Sequence, residues 1–157
     1  MHRTIAALGL TLVSSFAVTG QTTEPQKQSW VAASHQLEKM PLDDAAVKSG
    51  ETALHEVMDA KDFHVVLCQK FFNDFRQSNY KYRQAILRQY LLGSATEQVE
   101  HPDNAVSAQS VSGVESAVSA YQSILAQDPK AHDKMLNDLA NKQKDGKLEN
   151  YVRESCK

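Results

Sequence analysis

Glu51, His55 and Asp59 stand at successive intervals of four, so one helix face would present an imidazole between two carboxylates. Such a set can hold a divalent metal such as zinc when other helices complete the shell. The same pattern is common on solvated, charged helix faces, and that blander reading is favoured here. His64, beside Phe63, reads as a boundary residue, and His132 as solvated. No Gly-rich phosphate loop, His-Glu-x-x-His, Gly-x-Ser-x-Gly or Cys-x-x-Cys-His motif occurs. The serines between Ser107 and Ser123 have no histidine nearby in sequence. A serine nucleophile needs an imidazole within hydrogen-bond reach, itself oriented by a third group. The reading is therefore a protein without catalytic residues, resident metal or cofactor.

Charge is distributed unevenly. Residues 61–92 hold 6 basic and 2 acidic side chains, whereas 93–128 hold 0 basic and 5 acidic. The formal net charge of −2 thus conceals a basic centre, although it argues against a protein built around nucleic acid or anionic membrane. Within that centre, Arg76, Tyr80, Lys81, Arg83 and Arg88 interleave cations with an aromatic ring. Arginine and tyrosine are typical of binding hot spots, being large, semi-rigid groups with polar ends. These five residues form the candidate partner-binding surface, and the partner expected is another protein with an acidic face. The competing reading packs the basic helices beside the acidic ones and buries the tyrosine rings in the core.

Two cysteines, Cys68 and Cys156, are too few for a Cys₄ zinc site or a disulfide-dense scaffold. The chain opens with Arg3, an uncharged apolar run from Ile5 to Val18, and small residues at Val18-Thr19-Gly20. That order reads as a cleaved secretory signal over residues 1–20. The run is short for a membrane anchor, so no stable membrane insertion is expected after cleavage. In an oxidising compartment, periplasmic or extracellular, the two cysteines have a single possible pairing. The bond would close a large loop and pin the C-terminus to the middle of the domain.

These residues must be positioned by helices. With 157 residues, 41% of them hydrophobic and only 6 Gly and 4 Pro, the chain suits one globular domain. Polar residues 21–28 read as a flexible arm, and Ser29 as the cap of a first helix carrying Trp30, Ala33 and Leu37. Phe63, Leu67, Phe71 and Phe75 recur every four residues, while residues 42–77 are compatible with one helix or two. A helix from Asn79 is predicted to end at Gly93, followed by a polar loop over 94–104. Val111, Val114, Val118, Tyr121 and Leu125 form a heptad-like seam. Asp128-Pro129 reads as a helix start and Asp145-Gly146 as a stop. No segment alternates with period two.

The expected architecture is all-α: a compact antiparallel bundle of about five to six helices over residues 29–157. The expected role is protein–protein binding of an inhibitor or immunity type. The rivals are a small-ligand or metal carrier with its site between helices, and a hydrolase whose residues meet only in space.

Overall fold

In the computed structural model, which describes residues 21–156, the N-terminal helix begins at a cap of its own. Thr23 accepts from the Gln26 backbone N–H, while the Gln26 side chain accepts from the Thr23 backbone N–H at 3.0 Å. This reciprocal box, with Pro25 in the first turn, starts α1 (Glu24–Lys39) ahead of the expected Ser29 cap. Residues 21–28 are therefore not a free arm. Thr22 fastens the entry further, donating its N–H and hydroxyl to the Asp62 carboxylate at 2.9 and 2.6 Å. The predicted signal at 1–20 lies outside the described residues.

Asp43 caps α2 (Asp44–Asp59) by accepting from the Ala46 N–H at 2.9 Å. The chain then leaves the helix at Ala60, so residues 42–77 hold two helices, the second being α3 (Gln69–Arg76). Phe63 is buried from the intervening segment and Leu67 is exposed, which splits the predicted apolar stripe. α4 (Arg83–Glu100) and α5 (Val106–Gln127) follow, then α6 (Lys134–Lys144) and α7 (Leu148–Ser155). The described residues form seven helices and no strand, one more helix than the upper expectation. None of these helices is long and apolar enough to cross a membrane.

Three predicted boundaries move. α4 starts at Arg83, not Asn79, and runs straight through Gly93 to Glu100, so the predicted 94–104 loop is confined to residues 101–105. Asp128 ends α5, and α6 is capped by Asp133 instead of Asp128. Gly146, at φ 68°, terminates α6 in the left-handed conformation expected of it.

α4 and α5 form an antiparallel hairpin with the broadest contact in the molecule, and α4 serves two cores. One gathers Phe71, Phe75, Tyr90, Tyr121, Leu136 and Val152 from α3 to α7. The other gathers Trp30, Leu37, Val57, Phe63 and Leu92, with Trp30 and Phe63 meeting edge to face at 5.2 Å. Four members of the predicted α5 seam, Val111, Val114, Val118 and Tyr121, are buried, while the fifth, Leu125, is half-buried and Ile124 takes the core position beside it.

Cys68 and Cys156 form a disulfide, with Cα atoms 4.7 Å apart and 88 positions apart in sequence. Cys68 is tied down on its other side as well. Its backbone N–H donates to the Tyr90 hydroxyl at 2.7 Å, and that hydroxyl donates to the Val66 carbonyl at 3.1 Å. The bridge thus joins α7 to a loop already anchored in the core.

Candidate functional site

The α3–α4 connection, residues 77–82, lies beside the α5–α6 connection, residues 128–133, and two aspartates hold them together. Asp133 caps α6 through the Leu136 N–H at 3.0 Å and accepts from the Ser78 hydroxyl at 2.8 Å. Asp128 accepts from the Tyr82 hydroxyl at 2.9 Å, from Lys81 Nζ at 3.2 Å and from the Lys130 N–H at 3.3 Å. Behind them the Tyr121 hydroxyl accepts from the Asp133 N–H and donates to Asn137 at 2.6 Å. Substituting Asp133 by alanine removes a helix cap and a cross-loop bond together. A loss of about 1–2 kcal/mol is expected in denaturant unfolding, with α6 fraying first in hydrogen exchange.

Between the connections is a hollow of about 590 Å³, bordered by Tyr80, Lys81, Asp128, Lys130 and His132. Tyr80 belongs to its wall. Its ring packs against Tyr82 and Tyr121, each at 5.9 Å, and the residue is only 9% exposed. Its hydroxyl is buried without a partner among the described residues. Burial, with Tyr121 and Asp133 nearby, holds that phenol well above its ordinary pKa, so it stays neutral.

Two lysines border the rim, and Arg83 lines an adjoining hollow that shares residues 78–81 with it. Lys81 Nζ lies 4.7 Å from the centre of the Tyr82 ring, and Lys130 and His132 are exposed. Arg83 Nη1 donates to the Arg76 and Ser78 carbonyls, each at 3.3 Å. Among the described residues, Arg76, Arg83 and Lys130 have no carboxylate at ion-pair distance.

The Asp128 carboxyl is held below its ordinary 3.8 by the Tyr82 hydrogen bond first and the Lys81 contact second. A lowered folded pKa means that the stabilising contribution is complete above 3.8 and drains as pH falls through the lower folded value. Tyr82→Phe should therefore raise the Asp128 pKa toward 3.8, read by NMR titration of its side-chain carboxyl carbon. An unmoved titration would show that the hydroxyl does not carry the shift.

The predicted surface is thus only partly assembled. Tyr80, Lys81 and Arg83 come together, with Arg76 adjoining through its carbonyl. Arg88 does not join them. Its side chain is 11% exposed and turned to α2, where Nη1 meets Glu51 at 3.0 Å. Sequence reasoning missed Asp128, Lys130, His132 and Asp133, which arrive from a loop some fifty residues away. No local pattern marks them, because Asp128-Pro129 looks like a helix start.

The metal candidates are not brought to a common point. Glu51 is committed to Arg88, while His55 Nδ1 pairs with Asp59 at 3.1 Å on an open face. No group of three or more His, Cys, Asp or Glu among the described residues is placed to hold a metal ion. One hydroxyl–carboxylate–imidazole chain does exist between helices. The Ser116 hydroxyl donates to Glu38 at 2.5 Å, and His35 lies 3.5 Å from both Glu38 and Glu100. The carboxylate stands in the middle, so the imidazole cannot take the serine proton as a catalytic triad requires. Gln89, buried in the same network, donates to Ser116 at 2.6 Å and to Ser34 at 3.1 Å. This network joins α1, α4 and α5 and has no imidazole at the hydroxyl.

Comparison of the chain with protein-family models, with curated proteins and with solved structures finds no match.

Proposed function

We propose that this is an exported helical binding protein of the inhibitor or immunity type. It would dock an acidic protein partner on the surface formed by the 77–82 and 128–133 connections. One observation carries the reading: Lys130 and Arg83, cations without carboxylate partners among the described residues, border two adjoining hollows whose shared wall holds the buried Tyr80 ring. Rigid aromatic groups and arginine at the centre of a concave surface are what protein hot spots are made of. Uncompensated charge around them selects an oppositely charged face and speeds encounter. The Cys68–Cys156 disulfide supports an oxidising compartment, periplasmic or extracellular, and so supports export.

The test is capture by the tagged protein from its native compartment, with wild type compared with Arg76→Glu/Arg83→Glu. Both side chains stand at the surface end of α3 and the start of α4, away from the Arg88–Glu51 pair. We expect an acidic partner whose affinity falls by about tenfold or more in the variant, while the melting temperature is nearly unchanged. Undiminished capture by the charge-reversed protein would remove the reading, as would absence of any stoichiometric partner.

A further inference from the structure

The geometry points to a specific ligand for this surface: an extended acidic peptide segment laid across the 78–81 loop, one carboxylate meeting Arg83 and another meeting Lys130. The inference rests on the protein-docking reading above and names its ligand chemistry.

Two hollows share one wall. The larger, about 590 Å³, lies on the side of Lys130 and His132, and the smaller, about 260 Å³, on the side of Arg83 and Gln84. Residues 78–81 line both, so the loop is a ridge with a cation on either flank. A phosphoryl group is held best by donors converging on one point. Cations set on opposite flanks of a ridge match separate single charges strung along a chain, with the ridge supporting the backbone between them.

The Arg83 side chain is prepared for this. Nη1 is fixed by the carbonyls of Arg76 and Ser78, while Nε and Nη2 have no partner among the described residues. A guanidinium held in place with one edge unspent fits a carboxylate fork, and ordering it beforehand reduces the entropy lost on binding. The resident carboxylates do not compete for it. Asp128 is satisfied by Tyr82, Lys81 and the Lys130 N–H, and Asp133 by Ser78 and the Leu136 N–H. The shared wall is backed by the buried Tyr80 ring, packed on Tyr82 and Tyr121, which keeps the ridge rigid beneath the chain passing over it.

The test uses fluorescence anisotropy at low salt with three labelled peptides: a glutamate-rich decapeptide, a neutral decapeptide with one glutamate, and a neutral decapeptide with one phosphoserine. The glutamate-rich peptide should bind tightest. Arg83→Gln and Lys130→Gln should each weaken it about three- to fivefold, and the double variant about tenfold or more. Lys142→Gln, on α6, controls for general charge loss and should leave binding unchanged. Thermal melts verify that each variant is folded. The inference is overturned if either glutamine variant binds like wild type, if the phosphoserine peptide binds tightest, or if no peptide binds. Those failures leave the docking reading standing whenever capture still depends on Arg76 and Arg83. Loss of that dependence in the capture experiment sinks the reading itself.

Discussion

Replacing Cys68 and Cys156 together by alanine should lower stability by about 4–5 kcal/mol, the largest effect expected of any small change in this chain. The bond spans 88 residues, so cutting it releases most of the described chain in the unfolded ensemble. It also frees α7, a helix of 8 residues that has no side-chain N-cap and is too short to persist alone. What remains to hold α7 is the burial of Leu148 and Val152 against α5 and α6, the Arg153 hydrogen bond to the Ser107 hydroxyl and the Lys142 contact with the Tyr151 ring. A fall in melting temperature of roughly 10–20 °C follows for a domain of this size. Wild type in excess dithiol should melt with the double variant. Coincident melting curves of oxidised and reduced protein would show that the bridge contributes nothing.

Gly113→Ala should destabilise the protein by about 2–3 kcal/mol, against the usual helix rule. Alanine is the better helix former by about 1 kcal/mol, so on an exposed helix the change would stabilise. Here α4 and α5 approach too closely for a side chain. A Cβ at Gly113 would overlap the Ser94 hydroxyl and lie 2.9 Å from the Tyr90 carbonyl and 3.0 Å from the Tyr90 ring. The carbonyl is backbone, so relief requires the hairpin to open. Opening it would also disturb the Tyr90 hydroxyl that anchors the Cys68 loop. Urea unfolding measures the change directly. A variant as stable as wild type would mean the two helices separate at no cost.

The same close approach explains where sequence reading failed. Gly93 resembles a helix terminator because glycine is favoured at such ends. Its place in mid-helix follows from a neighbour, since a Cβ there would lie 3.1 Å from the Ser112 carbonyl on α5. Nothing local to residue 93 reports a helix that begins thirteen positions later. The start of α1 was legible in principle from Thr23, Pro25 and Gln26. It was overlooked because residues 21–28 carry no apolar periodicity. The helical class was legible from three-and-four spacing, and the cysteine pairing from there being two cysteines. At the candidate site, residues 80–83 stood out by composition. Their partners at 128–133 did not, because the α4–α5 hairpin, not sequence proximity, brings them together.

Hydrogen exchange on the captured complex tests the central claim most directly. Docking at the paired connections should slow exchange of the amides in 77–83 and 128–133. Exchange at a cleft lined by other residues, between the start of α1 and the end of α2 around Thr22 and Asp59, should be unaltered. Protection confined to that cleft, with the two connections exchanging as in the free protein, would contradict the account.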